Sequence, residues 1–288
     1  MGAAREADAA SGSRRIFGGD AAELAEFPRV VALLDRYWAA RCSGTAVAPH
    51  WVLTAAHCVT SRLAYVKYNT RRPASLDGDF VPVHYLYRHP KFEVEQTEGP
   101  AADVTLLHHD VGLVRTRNVM HLRATLPADL YADFKLYNAM TIPEAEVQVL
   151  GFGRTERSVL GEELFAARLQ LAACGRGDWL HVVCGAARGA ARGVCSGDSG
   201  GPVLYRAHQV GVTSMGPVEC ARAGSTPPPG ATSVFTALFP YADVVNATIA
   251  DTEAALRMTR LSRAPPAPRA APLPLAAVLV LALPLPDR

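Results

Sequence analysis

The stretch Gly193-Val-Cys-Ser-Gly-Asp-Ser-Gly-Gly-Pro202 decides the reading of this sequence. A serine hydroxyl is a weak nucleophile until a base takes its proton, and the oxyanion it creates needs donors already aimed at it. Glycines on both sides of Ser199 allow the tight turn that presents a hydroxyl beside free backbone N–H groups. Alone, Gly-Asp-Ser-Gly-Gly is compatible with a simple turn. The upstream run Trp51-Val-Leu-Thr-Ala-Ala-His57-Cys58 adds an apolar strand that ends on a histidine. By itself that histidine would be structural. Paired with the serine motif, it points to a base, His57, and a nucleophile, Ser199.

Outward from these motifs, the chain is punctuated by short apolar or alternating runs: Arg29–Leu34, Thr45–Thr54, Phe80–Tyr87, Val147–Phe152, Pro202–Tyr205 and Gln209–Ser214. Short strands broken by Gly and Pro predict an all-β sandwich or barrel. A helical pattern is visible only over Tyr241–Leu256, and Arg71–Asp79, Gln96–Ala102 and Gly224–Gly230 read as surface loops. With 288 residues, 49% hydrophobic and 19% charged, the chain holds enough apolar material for a sizeable core, which excludes disorder and fibres. A net charge of +2 without a Lys/Arg run excludes nucleic acid as a partner. The six cysteines include no Cys-x-x-Cys pair, which favours disulfides over zinc and places the chain in an oxidising compartment. Spacing alone leaves their pairing open.

Together the two motifs resemble the chymotrypsin/trypsin family of serine proteases, and the resemblance runs over residues 16–250. It takes in Arg15-Ile-Phe-Gly-Gly19, Cys42-Ser-Gly-Thr-Ala46, Gly151-Phe-Gly153, Ser214-Met-Gly216 and Cys220. It implies two six-stranded antiparallel β-barrels with a C-terminal helix, and the disulfides Cys42–Cys58, Cys174–Cys184 and Cys195–Cys220. It also implies an endopeptidase working through an acyl-enzyme with a Ser-His-Asp triad, without metal or organic cofactor. Gly197 and Ser199 would supply the oxyanion hole. Cleavage after Arg15 would free the Ile16 ammonium to pair with Asp198, which makes the chain a zymogen. A dibasic, solvated Arg14-Arg15 is the plainer alternative.

Two aspartates compete as the triad acid. Asp110, in His-Asp-Val-Gly-Leu-Val-Arg, fits the family pattern and its interval to Gly151-Phe-Gly153; Asp103 fits the interval from His57. We favour Asp110. In the primary pocket, Gly193 stands where trypsin-like members carry Asp, so Lys/Arg specificity is not expected. Gly216 leaves the mouth open and Ser214 lies on the substrate side. Apolar residues before the scissile bond, aromatic or Leu/Met, follow from an uncharged pocket, with Glu219 at the rim as a counter-signal and Met215 as a softer floor.

The expected organisation is a propeptide or truncated segment at 1–15, a protease domain at 16–250 and a Pro/Ala-rich tail at 251–288. Residues 1–15 contain no apolar run and cannot serve as a signal peptide as given, which leaves a truncated start or export by another route. The apolar Leu275–Leu283, small residues near Ser262 and a Pro/Ala spacer fit a glycolipid-anchor signal, against the alternative of a low-complexity extension. Asn246-Ala-Thr248 matches an N-glycosylation acceptor. The other histidines show no metal-ligand spacing and read as surface or packing residues. The expected partners are protein or peptide substrates, an activating protease and protein inhibitors, and a membrane only through the tail. The expected location is extracellular. The competing reading, from another class, is a protease homologue without turnover that acts as a binding or signalling module.

Overall fold

The computed structural model describes residues 16, 18–97, 104–126, 130–142, 144–153, 163–172, 174, 179–187, 192–221 and 227–263. The chain enters through β1 (Asp20–Ala21) and then lays down β2 (Val30–Asp35), β3 (Ala40–Ala48), β4 (Trp51–Thr54), β5 (Leu63–Tyr68) and β6 (Asp79–Arg88). A two-stranded hairpin, β7 (Glu93–Gln96) with β8 (Val104–His108), precedes β9 (Gly112–Thr116). These pair antiparallel in the order β6-β5-β2-β3-β4-β9, and β9 returns to β6, which closes a six-stranded barrel.

The second half repeats the design with β10 (Glu146–Gly151), β11 (Phe165–Ala172), β12 (Val182–Ala186), β13 (Pro202–Tyr205), β14 (His208–Met215) and β15 (Ser233–Ala237). Here the order is β11-β10-β13-β14-β15-β12, with β12 back on β11. Closure leaves each barrel no free edge within its ring. β1 adds to β11 from outside, so Asp20–Ala21 is tied to the second barrel.

Strand β2 explains how the barrels join. All six of its residues are buried, so it cannot alternate between core and water. Val31 and Leu33 point into the first barrel's core, while Val30, Ala32 and Leu34 pack against Leu150, Phe152, Leu164 and Ala166 of the second. An apolar run buried on both faces is the expected signature of such a strand. β10 does the same from the other side, with Val147 and Val149 inward and Leu150 in the shared layer. The cleft along this seam is where the site forms.

Three local expectations are corrected. The run Thr45–Thr54 is two strands, β3 and β4, because Pro49-His50 turns the chain between them. The helix expected over Tyr241–Leu256 is shorter, α2 (Ala242–Ala250), ended by Asp251 in the left-handed conformation at φ 56°. A second helix, α1 (Leu130–Leu136), had no clear periodicity; it docks through Phe134, 1% exposed, in the first core. The stretch expected as a tail from 251 onward begins as ordered structure. Met258 is buried in the first core, and β16 (Thr259–Arg263) adds to β6 as a seventh strand. Thr259-Arg-Leu-Ser-Arg263 holds a single apolar residue, which disguises the strand. No helix among the described residues is long and apolar enough to cross a membrane.

Candidate active site

His57 sits where β4 leaves the first barrel and tightens into a single 3-10 turn, Ala56–Cys58. The fully buried Ala55 and Ala56 leave room for that turn. The Cys42–Cys58 disulfide pins its end to β3. Asp110 follows β8, just before β9, with a side chain that is 0% exposed. Its carboxylate accepts the His57 backbone N–H at Oδ1 (2.9 Å) and lies 2.8 Å from the ring Nδ1 at Oδ2. One carboxylate thus fixes both the backbone and the ring of His57. Asp103, the rival, lies outside the described residues.

A third donor completes the acid. The Ser214 hydroxyl, from β14 of the second barrel, donates to Asp110 Oδ2 at 2.5 Å. Burial works against charge on Asp110, but His57, Ser214 and the His57 amide together hold its carboxyl below the ordinary range. Burial likewise disfavours a charged His57, yet the Asp110 carboxylate overrides it and raises the imidazole above its ordinary value. The sequence put Ser214 on the substrate side. Its hydroxyl turns out to brace the acid, across 104 positions of chain that leave no local signal.

Ser199 lies in the tight turn between Cys195 and β13. Gly200 takes φ +80°, and a Cβ there would lie 1.9 Å from Thr54 Oγ1. No side chain fits, and that close approach seats the turn against β4 two residues before Ala56. The Ser199 carbonyl accepts from Ser43 N at 2.8 Å, Ser43 Oγ donates to the Gly197 carbonyl at 2.8 Å, and Thr54 Oγ1 donates to the Ser43 carbonyl at 2.8 Å. Ser43 and Thr54 fall within the motifs, but the sequence assigns them no role. The Cys58 sulfur lies 3.7 Å from His57 Nε2 and 3.6 Å from the Ser199 carbonyl oxygen, so the two motifs meet across the disulfide. The Ser199 hydroxyl and the ring are not hydrogen-bonded here; that contact commonly tightens only with substrate bound. Cys42, His57 and Cys58 lie close enough to suggest metal ligands, but both sulfurs are spent in the disulfide and offer no thiolate.

Within the serine turn the Asp198 N–H donates to the Cys195 carbonyl. The N–H groups of Gly197 and Ser199, on either side of it, donate to no described residue. The Asp198 carboxylate is fully buried and takes two backbone donors, Gly153 N at 2.8 Å and Cys195 N at 2.9 Å. Burial pushes it up to about 7 against those donors, and among the described residues no cation stands beside it. Ile16 is also fully buried, in the second core; Arg15 lies outside the described residues.

The residues expected to wall the primary pocket lie close together. A Cβ on Gly216 would lie 2.1 Å from the Val194 carbonyl, so these two segments run in close contact. At the expected base, a Cβ on Gly193 would meet Ser233 Oγ at 3.1 Å, and that hydroxyl accepts from Val194 N at 3.1 Å. No carboxylate stands among these base residues. The disulfides Cys174–Cys184 and Cys195–Cys220 are formed, the second next to the serine turn. Asn246 is exposed on α2, while Thr248 is buried with its hydroxyl donating to the Val244 carbonyl.

Comparison with known proteins bears on the family and the fold. The family model described as Trypsin matches residues 16–245. Human kallikrein-2 is 30% identical over 254 residues, covering 82% of this chain and 90% of that protein. Rat tonin is 27% identical over 73% of this chain and 83% of its own length. Ovochymase of Halocynthia roretzi is 27% identical over 81% of this chain, which spans 15% of that much longer protein. The solved structure of neuropsin, a serine protease of mouse brain, superposes with a TM-score of 0.63 at 22% identity, covering 81% of this chain and 100% of that one. It supports the fold.

Proposed function

Since this chain belongs to the trypsin family of serine proteases, we propose that it is an extracellular endopeptidase that cleaves protein or peptide substrates through an acyl-enzyme. The observation that carries the reading is the Asp110 carboxylate holding both His57 N and His57 Nδ1, with Ser214 behind it. In this reading His57 Nε2 takes the proton of the Ser199 hydroxyl as its oxygen attacks the carbonyl carbon. The C–N bond breaks as the same proton passes to the leaving amine. Water then repeats the sequence on the ester and frees the acid. Asp110 holds the ring in the tautomer with Nδ1–H and stabilises the imidazolium. The free N–H groups of Gly197 and Ser199 receive the oxyanion.

Residues 16–250 form the catalytic domain of the proposal, and residues 1–15 its propeptide. Cleavage after Arg15 by an activating protease would turn the Ile16 amide into an ammonium. The buried, uncompensated Asp198 supports this, because a buried carboxylate gains most from an adjacent cation. The uncharged pocket base at Gly193 and Ser233 supports specificity for apolar side chains rather than Lys or Arg. The ordered start of the 251–288 segment, in β16, makes the C-terminal extension part of the domain surface as far as Arg263. The anchor reading falls on 264–288, outside the described residues.

The test is a fluorophosphonate probe applied before and after cleavage at Arg15. Labelling that appears on cleavage and vanishes in Ser199→Ala supports the enzyme. Correctly cleaved material with an unlabelled Ser199 overturns it in favour of a binding module. A peptide library cleaved by the active form then reads pocket preference.

A further inference from the structure

Behind the first barrel, away from the cleft, lies a cavity of about 620 Å³. It sits at the far ends of β4 and β9, where Trp51 faces Arg115 across the sheet, while the opposite ends, Thr54 and Gly112, adjoin His57 and Asp110. The end of α2 and the added strand β16 build its other wall, so the cavity exists because the chain continues past the helix. Its volume is that of a site for a small organic molecule.

Two features give its chemistry. Its floor is aromatic: Trp51 and Tyr87 lie 5.2 Å apart, centre to centre, and Tyr85 lies 6.4 Å from Tyr87. Its rim is cationic: Arg115, Arg257 and Arg260 line it, against a single carboxylate, Asp251, which pairs with Arg257. Arg115 lies 5.6 Å over the Trp51 ring and Arg260 lies 4.8 Å over the Tyr85 ring. Among the described residues neither has an acidic partner. Stacking positions a guanidinium without using its edge donors. Two such groups are therefore held in place with their N–H forks unspent.

We propose that this cavity binds a ring-bearing polyanion of the sulfated-sugar class. The guanidinium forks match sulfate oxygens in pairs, and the aromatic floor matches the C–H face of a sugar ring. Three disulfides put the chain in an oxidising, exported setting, where such sugars are met. The site is separate from the cleft, so the proposal stands or falls apart from the protease reading.

The experiment is calorimetric titration of the full chain, at about 0.15 M salt, with a heparin-derived tetrasaccharide and its desulfated counterpart. The sulfated sugar is expected to bind one to one and the desulfated sugar not at all. The pair Arg115→Ala/Arg260→Ala is expected to weaken binding at least tenfold. Arg115→Lys/Arg260→Lys, which keeps the charge and loses the flat fork, is expected to weaken it at least threefold. The exposed pair Arg36→Ala/Arg62→Ala, with the same charge loss outside the cavity, is expected to bind as the parent does. Absence of binding, unchanged affinity in either cavity pair, or an equal loss in the control pair overturns the assignment. Hydrolysis of a short peptide by the cleaved cavity variants is expected to be unchanged.

Discussion

Replacing Asp198 in the uncleaved chain tests the charge left unpaired beneath the serine turn. The background is Ser199→Ala, which cannot cut itself, and the perturbation is Asp198→Asn. Burial raises the Asp198 carboxyl from 3.8 to about 7. Between those values the folded chain holds a proton that the unfolded chain has released, so folding stability falls as pH rises across that window. At about 1.4 kcal/mol per unit, the ionised group costs about 4 kcal/mol by pH 8, and nothing is lost below pH 4. Asparagine cannot ionise, so this decline disappears. It carries its own penalty, because its amide nitrogen must face Gly153 N or Cys195 N where a carboxylate oxygen accepted before. A buried donor left unmatched costs about 1–3 kcal/mol, independent of pH.

The observable is therefore a crossing. Urea unfolding at pH 4.5, 6 and 8 is expected to find the Asn variant less stable than its parent at the acid end and more stable at the alkaline end. His89, which burial and neighbouring cations push down to about 4, adds a contribution of opposite sign over part of this range. It is present in both chains and cancels in their difference. Parallel profiles for the two chains would refute the reasoning. Cleavage after Arg15 supplies the second arm, because an Ile16 ammonium beside Asp198 should abolish the parent's decline. A decline that survives cleavage rules out the activation pairing.

Four further outcomes follow from the same geometry. Ser214→Ala removes one hydrogen bond to an ionised acid, worth about 1.5–3 kcal/mol, and kcat/KM of the cleaved enzyme should fall between tenfold and a hundredfold. Because the working base is the neutral imidazole and Asp110 raises His57, kcat/KM should drop as pH falls through a value above the ordinary one; in Asp110→Asn that acid limb should move to lower pH. Gly193→Asp sets a carboxylate beside Ser233 at the pocket base, and the ratio of kcat/KM for Arg over Leu substrates should rise at least tenfold; an unchanged ratio means the pocket base lies elsewhere. Met258→Ala should cost about 2–5 kcal/mol in thermal or urea unfolding, as for other buried methionines, whereas a detached tail would give almost nothing.

Much of this molecule was legible because its chemistry is local in sequence. Ser199 and Gly200 are neighbours, and the turn they need is written in the residues between Cys195 and Pro202. His57 and its buried alanines are likewise one short run. The barrels were legible as a class because β6, β10, β13 and β14 each give a short apolar run bounded by turn residues. What stayed hidden is what spans the chain. Ser214 reaches Asp110, Ser43 reaches Gly197, and Thr248 takes the Met258 amide; none of these pairs is adjacent in sequence, and serine and threonine are commonplace.

The choice of Asp110 shows where sequence reasoning reaches its limit. Counting residues favoured Asp103 from one side and Asp110 from the other, because hairpin β7–β8 inserts a variable length between His57 and the acid. Spacing cannot choose between two aspartates when a loop of free length lies on the measured path. Contacts across the fold favour Asp110: it is fully buried and accepts from His57 N, His57 Nδ1 and Ser214 Oγ. A buried acid needs donors, and the His57 motif supplies two of them. The same logic explains β16: its exposed Arg260 hid a strand, while Met258, apolar and just ahead of it, is buried in the first core.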